Sequence, residues 1–306
     1  MTRLLATVDV PASTANLGSG FDCFAAALSL RLRADLFETD DAGITVVSRG
    51  EGARAPRSGE ELVVRSFQEG LRAARGSSAG SGAWGIEIAS LIPPARGLGS
   101  SAALIVAGIL LGVAAGRYRP EDDRLVALAA QIEGHADNVS AAYHGGVTLA
   151  VTDPATGLRV RRFDPPESWI PVVFIPETAS TTADMRAALP ASVPHADAVV
   201  AAAHAALLAT AVVTGDASLL RVAMDDTLHQ PYRLPLLTGT RELIGLAYAA
   251  GALGAALSGA GPSIIAVCDS TAAAHAVEAA FNDLPIAGMA ARLRFDGLGA
   301  RVTEAR

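Results

Sequence analysis

The sequence predicts a fold that mixes α-helices with short β-strands. Short apolar or alternating runs of strand character recur along the chain, and longer apolar stretches typical of helices lie between them. Hydrophobic residues make up 51% of the 306 residues and charged residues 18%, which favours a large buried core over disorder. A chain of this length allows one large domain or two modest ones.

In the N-terminal half, apolar periodicity predicts five strands and several helices. Strands are expected at residues 4–10, 30–38, 43–48, 85–91 and 147–151, with the second and third paired. Helices are expected at 62–74, 102–115 and 120–130, and a helix-like apolar pattern also ends segment 11–28. Segments 49–59 and 75–82, rich in small and polar residues, are expected to be loops.

The C-terminal half shows the same alternation. A hairpin-like connection is expected at 152–162, a strand at 170–176, and helices at 195–214, 216–224, 242–250 and 272–281. Pro231 is expected to stop a helix, because proline lacks the N–H that a helix interior needs. A glycine-rich turn within 254–267 leads into a strand, and closing strands are expected at 290–295 and near Val302.

Charge and composition exclude several classes of function. The net charge of −7 argues against a nucleic-acid-binding protein, whose binding surface would be basic. All 24 basic residues are arginine, so the chain has neither a Walker A lysine nor the strand lysine of protein kinases. Cys23 and Cys268 lack metal-ligand spacing and indicate no disulfide framework. No signal peptide is expected, and the apolar run 102–115 is shorter than a membrane span.

The segment 93–103, P-P-A-R-G-L-G-S-S-A-A, connects a predicted strand to a predicted helix. Gly97 and Gly99 allow positive φ angles and a close backbone approach, and Ser100 and Ser101 are good helix N-caps. The free N–H groups of a helix's first turn and its positive dipole end bind anions, which predicts a phosphate site. The alternative is an ordinary strand-to-helix turn capped by serine.

Other segments carry polar groups that could join such a site. Segment 11–22, P-A-S-T-A-N-L-G-S-G-F-D, offers the amide of Asn16 and the carboxylate of Asp22. Segment 133–139, E-G-H-A-D-N-V, crowds four polar side chains, and arginines occur at 186 and at the end of H-Q-P-Y-R, residues 229–233. By themselves these residues also fit a strand-to-helix loop, a solvated turn and a helix-surface arginine.

The glycine–serine segment resembles the ATP-binding loop of the GHMP small-molecule kinases, and S-G-A-G-P-S at 258–263 resembles their third motif. Three further segments resemble homoserine kinases in particular, those at 11–22, 133–139 and 229–233. The resemblance to this family extends over nearly the whole chain. It implies the α+β, two-domain GHMP kinase fold. A nucleotide-binding domain similar to ribosomal protein S5 would span 1–155. A ferredoxin-like domain with helices on one face of an antiparallel sheet would span 156–306.

The resemblance also implies roles for individual residues. Mg²⁺ would be bound by Ser100 and Glu133, and the catalytic residues would be Ser100, Glu133 and Asn138. Asp22 would meet the substrate ammonium group and two arginines its carboxylate. The ATP phosphates would be bound by Pro93, Arg96, Gly97, Leu98, Gly99, Ser100, Ser101 and Ala102. The substrate would be bound by Asn16, Asp22, His135, Arg186, Arg233 and Gly259.

Three details of the resemblance leave alternatives open. The catalytic base could be Asp137, its neighbour Asn138 could orient the hydroxyl instead, or there could be no base. Residues 61–63 read Glu-Leu-Val where the family often has Asn-Leu-Val near the adenine. Thr181 stands where the family has a serine before its substrate arginine.

The implied function is ATP-dependent phosphorylation of the side-chain hydroxyl of L-homoserine, in threonine biosynthesis. We also expect a cytoplasmic homodimer that binds neither nucleic acid nor membrane. One alternative is a mevalonate-type kinase or decarboxylase, which the pairing of Asp22 with two arginines disfavours because mevalonate has no ammonium group. The other is a non-catalytic nucleotide-binding protein, which the retention of Ser100, Glu133 and both arginines disfavours.

Overall fold

A computed structural model describes residues 3–40, 42–51, 57–75 and 82–305 of the chain. Of the loops predicted at 49–59 and 75–82, residues 52–56 and 76–81 lie outside the described part, whereas residues 49–50 end a strand and residues 57–59 begin a helix. Within the described part, helices and strands mix in two β-sheets with packed helices, as the apolar pattern predicts.

The strands and helices lie largely where apolar periodicity places them, and the predicted helix 195–214 matches α6 at both ends. The elements up to residue 163 are β1 (Arg3–Ala15), β2 (Phe24–Glu38), β3 (Gly43–Gly50), α1 (Arg57–Arg75), β4 (Ala83–Ser90), α2 (Ser100–Gly116), α3 (Asp122–Glu133), α4 (Asp137–His144), β5 (Val147–Asp153) and β6 (Gly157–Phe163). The later elements are β7 (Ile170–Pro176), α5 (Thr182–Ala187), α6 (His195–Thr214), α7 (Leu220–Ala223), α8 (Gln230–Arg233), α9 (Thr240–Ala249), β8 (Gly254–Leu257), β9 (Ile264–Cys268), α10 (Thr271–Asn282), β10 (Gly288–Arg292) and β11 (Arg301–Glu304).

The first sheet has seven strands, with β2 near its centre. Its path runs β11–β1–β2–β4–β3, while β5 pairs with the beginning of β2 and with β6. Strands β3 and β4 are parallel, and the other pairs are antiparallel. The prediction that strands 30–38 and 43–48 pair with each other is wrong, because β4 lies between β2 and β3.

The helix-like pattern expected at the end of segment 11–28 is a strand. Strand β2 begins at Phe24, and its first five residues are all buried. Phe24, Ala26 and Leu28 belong to the main core, whereas Ala25 and Ala27 form a small cluster with α4. A strand buried on both faces has a continuous apolar sequence, which periodicity alone cannot distinguish from a buried helix.

The second sheet has four antiparallel strands in the order β10–β7–β9–β8. Its two faces are buried in different cores. Phe174 of β7 packs with Phe281 of α10, whereas Val173 and Ile175 join the large core that also contains Leu208 of α6. The expectation of helices on one face is therefore incomplete, because the opposite face is buried against the rest of the protein.

Helix α2 is apolar on all sides, and 13 of its 17 residues are buried. Two glycines let it approach α1 closely. A Cβ atom on Gly70 of α1 would lie 2.1 Å from the carbonyl oxygen of Ile109, and one on Gly112 would lie 2.1 Å from that of Phe67. This packing fixes the position of α2, and therefore of the N-terminus that the glycine–serine loop leads into.

The segment between α6 and α9 contains two differences from the sequence prediction. The helix predicted at 216–224 is a 3-10 turn followed by α7. Pro231 lies in the first turn of the short helix α8 and does not end a helix. The first turn leaves backbone N–H groups without intrahelical partners, so a proline is tolerated there.

Among the described residues, α6 is the one helix that is long and apolar enough to cross a membrane. A single helix of this kind is weak evidence for a membrane span, because core helices of soluble proteins meet the same criteria. Leu208, Ala211 and Val212 of α6 are buried in the large core.

Candidate active site

A cleft of about 480 Å³ lies where the glycine–serine loop, the β1–β2 turn and the β8–β9 turn meet. Most of the predicted site residues line it: Asn16, Asp22, Arg96, Gly97, Leu98, Gly99, Ser100, Ser101, Glu133, His135, Asn138, Arg186, Arg233 and Gly259. Pro93 and Ala102 lie outside the lining. Ala102 is buried within α2, and Pro94 and Ala95 line the cleft beside the position of Pro93.

The glycine–serine loop presents an uncapped helix N-terminus to this cleft. Gly97 and Gly99 have φ angles of 75° and 67°. Gly99 is the N-cap of α2 and has no side-chain capping hydrogen bond, so the prediction of a serine cap is wrong. A Cβ atom on Gly97 would lie 2.2 Å from the carbonyl oxygen of Ser258, which excludes a side chain there. The N–H groups of the first turn can therefore bind an anion.

Hydrogen bonds tie the three loops around the cleft together. Nδ2 of Asn16 donates to the carbonyl oxygen of Gly259 at 2.8 Å, and its Oδ1 accepts from the backbone N–H of Asp22 at 3.0 Å. The hydroxyl of Ser258 donates to the carbonyl oxygen of Gly97 at 2.7 Å. Asn16 is buried, so its amide first of all holds the loops together, and its contact with substrate stays a prediction.

Arg96 lines the cleft, but backbone carbonyls bind its guanidinium group. It donates to the carbonyl oxygen of Pro94 at 3.0 Å, to that of Pro176 at 2.8 Å and to that of Glu177. Pro176 ends β7, so Arg96 links the glycine–serine loop to the second sheet. This geometry favours holding the loop in place over a direct contact with phosphate.

Glu133 lies at the end of α3 with its carboxylate in the cleft. Its Oε1 accepts a hydrogen bond from the hydroxyl of Ser101, while Ser100 lines the same cleft. Its side chain is 12% exposed, and burial raises the pKa of its carboxyl group. Nε2 of His135 lies 4.0 Å away. The structure therefore adds Ser101 to the predicted pair of Ser100 and Glu133.

Neighbouring groups bind both Asp137 and Asn138, the two residues considered for the catalytic base. Oδ1 of Asp137 lies 2.6 Å from Nδ1 of His135 and accepts from the backbone N–H of Asn138 at 2.7 Å. Burial alone would lower the pKa of His135, but the hydrogen bond and charge of Asp137 outweigh burial and raise it. Oδ1 of Asn138 accepts from the hydroxyl of Ser13 at 2.8 Å. Asp137 is thus the buried anionic partner of His135.

Asp22 and Arg186, predicted to contact opposite ends of the substrate, contact each other. The guanidinium group donates two hydrogen bonds, of 2.8 and 3.0 Å, to the two carboxylate oxygens. The hydrogen bond to Asp22 raises the pKa of Arg186. The side chains are 37% and 38% exposed, and ion pairs of this exposure contribute little stability. A charged ligand in the cleft can therefore compete for either partner.

Arg233 is only 2% exposed. Its guanidinium group donates to the carbonyl oxygens of Met185 at 3.2 Å and Gly259 at 3.5 Å, and to Nδ1 of His229 at 3.3 Å. Within the described part of the chain, no carboxylate forms an ion pair with it. Burial, and then the like charge of Arg186, lowers its pKa. A buried cation without a carboxylate partner, lining a cleft, favours an anionic ligand.

Sequence reasoning did not single out four residues that build the site. They are Ser13, Phe21, His229 and Ser258. His229 is fully buried and stacks on Phe21, with ring centroids 5.0 Å apart. All four lie inside the motif segments 11–22, 229–233 and 258–263, so membership of a motif was the signal that could have found them.

Comparison with known proteins identifies the family. The model of the GHMP kinases N terminal domain matches residues 61–146, and that of GHMP kinases C terminal matches residues 199–286. The chain belongs to the GHMP kinase family. The homoserine kinase of Synechococcus sp. (strain CC9311) is 38% identical to this GHMP kinase over 301 residues, 96% of this chain and 94% of that protein. The homoserine kinase of Streptomyces avermitilis is 40% identical over 303 residues, again 96% and 94%.

Solved structures agree with this assignment. The crystal structure of homoserine kinase from Cytophaga hutchinsonii matches with a TM-score of 0.86 at 28% identity, covering 97% of both chains. The crystal structure of L. major mevalonate kinase in complex with R-mevalonate matches with a TM-score of 0.68 at 17% identity, covering 96% of this chain and 95% of that one. The second likeness shows a shared fold alone. The predicted family and its α+β fold are thereby confirmed.

Proposed function

We propose that this GHMP kinase transfers the γ-phosphoryl group of ATP to the side-chain hydroxyl of L-homoserine. The observation that carries the proposal is the charge arrangement of one cleft. An uncapped helix N-terminus lies in its lining together with the guanidinium groups of Arg186 and Arg233 and the carboxylate of Asp22. This arrangement suits a phosphate donor beside a zwitterionic amino acid. The names of relatives 38% and 40% identical over most of the chain support the same substrate.

ATP would bind with its phosphates at the N-terminus of α2. Backbone N–H groups and the helix dipole would hold them, since the chain has no lysine. Leu62 of α1 and Leu104 of α2 line the same cleft and offer apolar contacts suited to adenine. The departure from the family pattern at Glu61 falls beside Leu62, at this apolar end.

A magnesium ion would fit between Glu133 and the two loop serines. Carboxylate and hydroxyl oxygens are the ligands that magnesium prefers. Burial raises the pKa of Glu133 because it disfavours the charged carboxylate, and a bound cation would offset that cost. The described residues contain no group of three or more histidine, cysteine, aspartate or glutamate side chains that could hold a metal ion. Magnesium usually binds through one or two carboxylates together with waters and substrate phosphates. When bound, the ion would neutralise charge on the phosphate oxygens.

Homoserine would bind by exchanging partners with the ion pair at the cleft. Its ammonium group would pair with the carboxylate of Asp22, which releases the guanidinium group of Arg186. Its carboxylate would then pair with the guanidinium groups of Arg186 and Arg233. Both charges of the zwitterion are needed for this exchange, because breaking the pair with one charge leaves the other partner unpaired. Mevalonate carries only the negative charge, so this cleft disfavours it.

Catalysis would depend on positioning more than on a strong base. The hydroxyl oxygen of homoserine attacks the γ-phosphorus as the bond to the β–γ bridging oxygen breaks. ADP leaves, and the hydroxyl proton passes to a phosphate oxygen or to solvent. Asp137 is bound by His135 and by the backbone of Asn138, so we assign it a positioning role. Asn138, which lines the cleft, would orient the hydroxyl.

A coupled ADP-release assay with homoserine, mevalonate and galactose tests the proposal. We expect turnover with homoserine at a kcat/KM at least a hundredfold above that with the other two. Faster turnover of mevalonate would show that mevalonate, and not homoserine, is the substrate. ATP binding without ADP release on any of the three would favour the non-catalytic alternative.

The wider setting follows from the same substrate. We place the enzyme in threonine biosynthesis, in the cytoplasm and as a homodimer, and we propose domains at 1–155 and 156–306. The two family models, at 61–146 and 199–286, fall on either side of that boundary and support it. Strands β6 and β11 both lie in the first sheet, so residues 157–163 and 301–304 pair with strands of the N-terminal unit.

A further inference from the structure

His229 is buried behind Arg233, and its neighbours determine which ring nitrogen carries the proton. Nε2 lies 3.0 Å from the carbonyl oxygen of Gly18, which can only accept, so Nε2 must donate. Nδ1 lies 3.3 Å from Nη1 of Arg233, which can only donate, so Nδ1 must accept. Only the neutral ring with its proton on Nε2 satisfies both contacts.

The surroundings of the ring keep it in place and neutral. Phe21 stacks on it at an interplanar angle of 24°, and the guanidinium carbon of Arg233 lies 5.2 Å from the Phe21 ring centroid. Oδ2 of Asp226 is 3.5 Å from Nε2, but it also accepts the backbone N–H groups of His229 and Gln230 at 2.9 and 2.6 Å. Burial and the charge of Arg233 lower the pKa of His229, although Asp226 opposes them.

We infer that His229 is a positioning residue for Arg233, and that it thereby sets the affinity of the cleft for the carboxylate of the substrate. The other acceptors of the guanidinium group are backbone carbonyls, those of Met185 and Gly259. His229 supplies the side-chain acceptor, from the residue just before α8, the helix that carries Arg233. The inference rests on the proposed function, because it takes the substrate to be an amino acid.

Two variants separate the acceptor on Nδ1 from the packing of the ring. In His229→Asn the amide oxygen can occupy the place of Nδ1, so the acceptor for Arg233 is kept while the bond to Gly18 is lost. In His229→Gln the amide nitrogen can occupy the place of Nε2, so the bond to Gly18 is kept while the acceptor is lost. Both lose the stacking on Phe21, which makes them a matched pair.

We expect His229→Gln to raise the KM for homoserine about tenfold, because a hydrogen bond to a charged group is lost. In this variant kcat and the KM for ATP should stay within about threefold of the parent, since neither depends on the carboxylate. His229→Asn should keep the KM for homoserine within about threefold, even if its thermal midpoint is lower. Equal rises in both variants, or none in His229→Gln, would overturn the inference.

The tautomer can be read without any substrate. In ¹⁵N NMR spectra of the labelled full-length protein at pH 7, His229 should be neutral with its proton on Nε2. A proton on Nδ1, or a charged ring, would refute the inference whatever the substrate is. If the parent protein does not turn over homoserine, the proposed function fails, and this spectrum still decides the arrangement of His229 and Arg233.

Discussion

Replacing Arg233 by leucine tests how the cleft recognises a carboxylate. Arg233 is buried, and its charge has no carboxylate partner in the described part of the protein, so the substrate would supply one. A charge-assisted hydrogen bond contributes about 1.5–3 kcal/mol. Losing one should therefore raise the KM for homoserine roughly 10–150-fold. The KM for ATP should move little, because backbone N–H groups of the glycine–serine loop hold the phosphates.

Two effects of this change on folding oppose each other. Leucine removes a buried cation whose pKa burial already lowers. It also leaves the carbonyl oxygens of Met185 and Gly259 and Nδ1 of His229 without the guanidinium donor. A thermal melt of the variant, recorded beside its kinetics, separates a loss of fold from a loss of affinity.

The decisive assay compares homoserine with 3-aminopropan-1-ol, which lacks the carboxylate. Arg233→Leu should impair the use of this analogue much less than that of homoserine, because the lost contact is one that it never made. As a matched change in the same cleft, Arg96→Leu should mainly raise the KM for ATP, since Arg96 anchors the loop to Pro176. Equal losses on both substrates, or a main effect of Arg233→Leu on ATP, would place Arg233 at the phosphates or in the framework.

Three further substitutions test the remaining assignments. Glu133→Gln should abolish most turnover, with partial recovery at high magnesium. Burial raises the folded-state pKa of Glu133, so the stability that its protonated form contributes is lost as the pH rises through that pKa. The metal-free variant should therefore have a higher melting temperature than the metal-free parent at neutral pH. An unchanged kcat would show that Glu133 is only a turn residue. Asp137→Asn keeps the oxygen acceptor and should retain activity within about tenfold, whereas a thousandfold loss in a folded protein would identify Asp137 as the base. Gly97→Ala should raise the KM for ATP, because its Cβ would meet the carbonyl oxygen of Ser258. Gly157→Ala is the control, since Gly157 has a similar φ of 77° but open space around it, and it should leave this KM unchanged. A similar KM in both variants would count against the loop as the phosphate site.

Elements with a clear period were predictable from local sequence. The predicted bounds of α6 and of β7 match the structure at both ends, because each element has an apolar pattern between turn residues. The first residues of β2 could not be identified as a strand, since a run of buried alanines fits a helix and a strand equally well. The partner of β3 was also missed, because pairing between strands depends on contacts far apart in sequence.

The same division applies to the site. The resemblance of the motif strings to those of the GHMP kinases led to most of the predicted residues that line the cleft, because each motif keeps its glycines, serines and charged residues within one short segment. Sequence could not show that Asp22 and Arg186 pair with each other, or that Ser101 reaches Glu133. It also could not show that Arg96 is bound by carbonyls. These contacts depend on side-chain directions that only the folded backbone sets.

By itself, the sequence indicated the mixed fold through its local apolar pattern, and its motif strings indicated the family by resemblance. The same strings predict a phosphate site in a chain without lysine, because residue type can be read from each segment alone. Tertiary structure decided which charged side chains are bound by other groups of the protein and which are available to a ligand in the cleft. Arg233 and His229 lie close in sequence, yet the role of His229 becomes visible only when Gly18, more than two hundred residues away, meets its ring. Long-range packing creates that pairing, so no local pattern can encode it.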